Sequence, residues 1–105
     1  MAKSISPEDL QELLDQNQEI TLIDVRRKTD YDASPQKIRK ADWRDPEKIG
    51  DWMNTVPKDR EMVVYCVKGG SVSQSVADQL KNKHYNVKFL EGGIKAWKEM
   101  DGLTE

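Results

Sequence analysis

The chain has 105 residues, 36% of them hydrophobic and 34% charged, which supplies apolar material for one small core, so one domain over residues 1–105 is expected. Its 19 acidic and 17 basic side chains are interspersed at a net charge of −2, which leaves no basic face for a nucleic acid. No apolar run is long enough to cross a bilayer and Met1-Ala2-Lys3-Ser4 lacks the apolar core of a secretion signal, so no membrane partner and a cytoplasmic location are expected.

Ser6-Pro7-Glu8-Asp9 predicts a helix start, with Ser6 as the cap, Pro7 at the first position and two acids at the positive end of the dipole. Leu10, Leu13 and Leu14 supply its buried stripe, and Gln16-Asn17-Gln18 ends it. Ile20 to Val25 is a β-branched apolar run and reads as a buried strand. From Arg26 to Trp43 the sequence is polar and aperiodic, with Pro35 inside it, which predicts a loop with a short extended piece near Ile38.

Asp45-Pro46-Glu47 repeats the capping pattern, and Ile49, Trp52 and Met53 mark a short helix that stops before Pro57. Met62 to Tyr65 is a second buried strand, running directly into Cys66-Val67-Lys68-Gly69-Gly70-Ser71. Val72, Val76, Ala77 and Leu80 then mark one face of a helix reaching about Lys83. Val87 to Leu90 is a third strand, Gly92-Gly93 a turn, and Ile94 to Met100 a last helix carrying Trp97. This alternation predicts an α/β fold, a mainly parallel sheet with helices on both faces.

In such a sheet, chemistry concentrates where a strand's carboxyl end turns into the next helix, and Cys66 holds that position. It is the only cysteine, so it forms no internal disulfide, and with His84 the only histidine no cysteine-based zinc cluster is expected. Gly69 and Gly70 give access to backbone conformations closed to other residues, so that successive N–H groups can form a nest for an anion, a setting that favours thiolate. Both glycines are expected to be required by that geometry. Lys68 adds a mobile positive charge, and Ser71 and Ser73 offer hydroxyl donors. A lone cysteine is as readily a small core residue, and on the residues alone both readings stand.

Leu22-Ile23-Asp24-Val25-Arg26, then Asp30-Tyr31, then Val64 to Ser71, then Leu90-Glu91-Gly92-Gly93 with Trp97, resemble in order and spacing the rhodanese (sulfurtransferase) domain family of single-domain type. The match spans nearly the whole chain. The resemblance implies a five-stranded parallel sheet with Cys66 at the base of a loop whose backbone amides encircle it. It implies that Cys66 takes a sulfur from a small anionic donor such as thiosulfate, becomes a persulfide, and passes the sulfur to cyanide, a thiol or a protein acceptor. The amides of Val67, Lys68, Gly69, Gly70 and Ser71 would cradle the outer sulfur, and no metal or organic cofactor is implied.

The chain also departs from the family pattern. Ser71 stands where many members carry arginine or threonine, which leaves Lys68 as the loop's cation. Asp30 precedes Tyr31 where the two-domain liver-type enzymes have arginine, and it is expected to pair with Arg26. Gln36-Lys37-Ile38-Arg39-Lys40-Ala41 replaces a Gly-His-Ile-Pro-Gly-Ala segment, so only Ile38 and Ala41 are kept. Asp24 is expected to hold loops in place and not to act as a base. His84 suits a left-handed helix ending, Trp52 and Trp97 suit packing, and the basic residues Lys37, Arg39, Lys40 and Arg44 suit a solvated loop. A cysteine phosphatase would need arginine at the position of Val72 and is excluded on that ground. The second reading is a non-catalytic docking or redox-sensing module.

Overall fold

The computed structural model describes residues 2–16 and 19–105. The elements run β1 (Lys3–Ile5), α1 (Pro7–Asp15), β2 (Thr21–Asp24), α2 (Lys28–Ala33), β3 (Asp42–Trp43), α3 (Ile49–Trp52), β4 (Met62–Tyr65), α4 (Ser71–Asn82), β5 (Val87–Leu90) and α5 (Gly93–Glu99). The five strands form one sheet in the order β1-β5-β4-β2-β3, and every pairing is parallel. The predicted α/β architecture is thus present.

Successive strand residues point to opposite faces, and both faces are apolar. Ile23, Val64 and Val87 pack with Trp52, Val76, Ala77 and Leu80 on the side of α3 and α4. Leu22, Val63, Tyr65 and Leu90 pack with Leu10, Ile94 and Trp97 on the side of α1 and α5. Leu10 and Leu80 are fully buried and Trp97 nearly so, as their helical spacing predicts. Ser6 caps α1 by accepting the Asp9 amide at 3.1 Å. The predicted end of α1 falls partly on Asn17 and Gln18, outside the described residues.

Four elements depart from expectation: β1, which was not predicted, α2, β3 and the helix after Asp45. The stretch predicted as loop contains α2, and no residue of α2 is buried, so it carries no apolar stripe for a periodicity to register. It also contains β3, two residues at the sheet edge, while β1 at the other edge buries only Ile5. The helix expected after Asp45 is broken into a 3₁₀ turn at Pro46–Lys48, the single α-turn of α3, and a second 3₁₀ turn at Met53–Thr55. His84 takes a φ of +71° just beyond α4, the helix-ending conformation expected of it.

Candidate active site

Parallel strands carry their carboxyl ends to one rim of the sheet, and β4, with neighbours on both sides, delivers Cys66 to the middle of that rim. Asp24 lies opposite Tyr65 in the β2–β4 register, and the Val25 amide donates to the Tyr65 carbonyl at 2.8 Å. Cys66 is therefore the first residue past the ladder, and it is only 6% exposed. Its sulfur lies 3.2 Å from the hydroxyl of Ser73 on α4.

The segment after Cys66 is held by its carbonyls. Cys66 O accepts the Ile94 amide and Val67 O the Lys95 amide, both at 3.0 Å, so the first turn of α5 is spent on fastening this loop. Gly69 O accepts the Gln74 side-chain amide at 2.9 Å, and Gly70 O accepts the Gln74 backbone N–H at 3.2 Å. The backbone N–H groups of Val67, Lys68, Gly69, Gly70 and Ser71 donate to no acceptor among the described residues. A run of unspent donors at a helix start, beside a sulfur, is a place where negative charge is stabilised.

Gly69 has a φ of +74°, and a Cβ there would stand 2.7 Å from the Gly92 nitrogen and 2.9 Å from the Leu90 oxygen. Gly70 corrects the expectation. Its φ is −87°, outside the left-handed region that the expectation requires, and a Cβ there would meet nothing within 4 Å. The strained glycine that sequence reasoning did not connect to the site is Gly93, at φ +58°, where a Cβ would fall 2.3 Å from the Cys66 carbonyl oxygen. Its only sequence signal is the pair Gly92-Gly93 after a strand, which reads as a turn and does not reveal what the turn touches. Accordingly, Gly69→Ala should lower Tm by at least about 4 °C through a backbone strain of roughly 1–3 kcal/mol, while Gly70→Ala stays within about 2 °C. Tm of the two variants side by side checks this, and equal losses would overturn it.

Beside the loop a second cluster fixes the chain after β2. Arg26 and Asp24 are 2% and 0% exposed and form an ion pair at 2.7 Å, with Arg26 Nε also donating to Asp24 at 2.9 Å. The same guanidinium donates to the carbonyls of Ser34 and Gln36, both at 2.8 Å. Tyr65 donates its hydroxyl to Asp24 at 3.2 Å and accepts the Ile38 amide at 3.1 Å. Burial, with the Asp24 carboxylate beside it, keeps this phenol protonated far above its ordinary range. Arg26 thus pairs with Asp24, not with Asp30 as expected. A side chain two residues back along the strand is buried with it, whereas Asp30 is exposed. Asp24 is the scaffold residue it was read as. Trp43 stacks on Tyr31 with 5.1 Å between ring centroids and donates to the Arg26 carbonyl at 2.8 Å.

Lys68, Gly70 and Ser71 are exposed, and Val67 and Gly69 are half-buried. An open cleft of about 350 Å³ starts at Ser71 and is lined by Val72, Ser75, Arg27, Pro46 and Glu47. Arg27 is a cation at this rim that no motif reading singled out. The basic residues Lys37 and Arg39 instead pair their backbones with Glu105 and Leu103.

The chain is similar to known proteins. A sulfurtransferase of Allochromatium vinosum is 31% identical over 97 residues, covering 92% of this chain and 89% of its own length. YtwF of Bacillus subtilis, whose name gives it as a sulfurtransferase, is 33% identical over 97 residues, at 90% and 89% coverage. The crystal structure of a rhodanese-related protein from Thermoplasma volcanium superposes with a TM-score of 0.84 over 98% of this chain and 97% of that one, at 22% identity. The family model of the Rhodanese-like domain matches residues 6–100. By that match, and by the sheet that carries Cys66 to its rim, the chain belongs to the Rhodanese-like domain family.

Proposed function

We propose that this chain, as one domain over residues 1–105 in a reducing, cytoplasmic setting, moves a sulfane sulfur from a donor such as thiosulfate to a thiol, protein or cyanide acceptor through a persulfide on Cys66. The observation that carries the reading is the run of undonated amides from Val67 to Ser71 beside a single cysteine at the end of β4. Family membership and the sulfurtransferase names of its relatives support the same class.

In the first transfer the Cys66 thiolate attacks the outer sulfur of thiosulfate. The new S–S bond forms as the old one breaks, and sulfite leaves with the electron pair. The transferred sulfur then carries negative charge at the mouth of the loop, where fixed N–H dipoles stabilise it without reorganisation. In the second transfer a nucleophile takes the outer sulfur and Cys66 returns as thiolate. Lys68, exposed and forming none of the ion pairs among the described residues, is placed to attract an anionic donor. Arg27, in the adjoining cleft, is the second cation to weigh.

Intact mass after incubation with thiosulfate, with and without reductant, tests the reading. A reversible gain of one sulfur is expected, and no gain from thiosulfate or from any other sulfane donor would sink it. With steady-state kinetics on the same material, Lys68→Met should raise KM for thiosulfate roughly two- to fivefold, the scale of one exposed charge, and spare an uncharged donor. The effect should shrink as salt rises. Equal losses with charged and neutral donors would mean that Lys68 shapes the loop instead.

A further inference from the structure

Three polar side chains are buried among the described residues: Asp24, Arg26 and Ser73. The first two satisfy one another. Ser73, with no exposed surface, has its hydroxyl 3.2 Å from Cys66 Sγ and 3.4 Å from the Gly70 carbonyl. A hydroxyl has one hydrogen to give and two lone pairs to receive. While Cys66 is a thiol the chain of bonds runs one way, S–H to Ser73 and Ser73 O–H to Gly70.

A thiolate reverses that chain, because it has no hydrogen to donate and needs one in return. The hydroxyl can turn to the sulfur at small cost. Its bond to Gly70 is long for O–H···O, and the Gly70 carbonyl keeps the Gln74 N–H at 3.2 Å after the hydroxyl has left. We propose that Ser73 is a positioning residue whose hydroxyl moves its hydrogen bond from the Gly70 carbonyl to the Cys66 sulfur whenever that sulfur carries negative charge.

The two transfers feel this differently, a consequence that rests on the sulfurtransferase reading. In loading, Cys66 begins as thiolate and its negative charge is consumed as the bond to the donor's sulfur forms, so the hydroxyl's help is given up on the way. In discharge to cyanide, a C–S bond forms to the outer sulfur and the Sγ–S bond breaks. Its electron pair remains on Sγ, and thiocyanate leaves. Charge grows on the atom that Ser73 faces, so its hydrogen bond strengthens toward the transition state.

The test follows the halves separately in wild type, Ser73→Ala and Ser73→Thr. Protein is loaded with thiosulfate, freed of donor and mixed with cyanide, and each half is read by intact mass and thiocyanate release. With both halves run at a pH high enough to ionise every thiol, so that loading is not slowed by a smaller thiolate fraction, Ser73→Ala should discharge at least about tenfold slower, the scale of a lost hydrogen bond to a charged group, while loading changes less than about threefold. Ser73→Thr, which keeps the hydroxyl, should restore discharge wherever its Tm shows it folded.

A second arm needs no sulfur transfer. Iodoacetamide should alkylate Cys66 several-fold more slowly in Ser73→Ala at neutral pH, and at the wild-type rate at a pH high enough to ionise every thiol. Should wild type never take up sulfur, the functional reading fails and this arm alone decides the role of Ser73. A folded Ser73→Ala that discharges and alkylates like wild type would overturn the proposal. So would equal slowing of loading and discharge, which would mark Ser73 as mere packing.

Discussion

Cys66→Ser is expected to reduce sulfur transfer at least about a thousandfold, to background, while the protein stays folded. Serine nearly matches cysteine in volume, so the cost of the change is small in a site that already offers a polar partner. Ser73 stands 3.2 Å from the Cys66 sulfur and is able to bond a hydroxyl in its place. The chemistry has no such tolerance. An alkoxide is not accessible at neutral pH, and an oxygen cannot serve as the reversible sulfur carrier. Transfer to cyanide and circular dichroism on one sample measure both halves of the expectation. Retained transfer would place the chemistry outside Cys66, since the chain has no other cysteine.

The largest stability effect should come from Arg26→Met. Arg26 is 2% exposed and its guanidinium reaches Asp24, Ser34 and Gln36. Methionine fills much of the same space and leaves the Asp24 carboxylate buried without its counter-ion, an arrangement that costs about 3–5 kcal/mol. For a domain of this size that should lower Tm by at least roughly 12 °C, a large part of a typical folding free energy. Adding Asp24→Asn should recover part of the loss, because the uncompensated charge is then gone. A fall in Tm of less than about 4 °C would show that water or a local rearrangement rescues Asp24. The same variant should loosen the segment after α2, because two of its carbonyls lose their donor.

How far the sequence spoke can be read from particular residues. Met62–Tyr65 and Val87–Leu90 match the predicted strands in full: β4 is buried along its whole length and continuously apolar, and β5 is apolar at all its positions but Lys88. The elements that went unseen, β1, α2 and β3, lie at the edges or on the surface and bury one residue or none. Hydrophobic pattern has nothing to act on there. Cys66 and its loop were legible because a cysteine, two glycines and a helix start fall in one contiguous run.

What supports the loop was not legible, since it comes from elsewhere in the chain. Ile94, Lys95 and Gly93 meet Cys66 and Val67 only after β5 has been laid beside β4. The two glycines show the limit of composition most plainly. Both sit in one motif, yet only Gly69 takes the left-handed conformation. Asp24 and Asp30 make the same point for charge, because two carboxylates lie within reach of Arg26 in sequence and burial selects one.

The placement of β1 bears on the order in which the chain can assemble. Lys3, Ser4 and Ile5 take Lys88, Phe89 and Leu90 as their partners. Every other pairing in the sheet is also parallel, so no hairpin can close any of it early, and each ladder needs a long crossover before its first bond forms. On the ribosome, the first strand to be made is therefore obliged to wait until residues 88–90 have emerged. The loop after Cys66 waits as well, because Ile94 and Lys95, which fasten its carbonyls, emerge later still. Topology of this kind belongs with the slower folders among small domains.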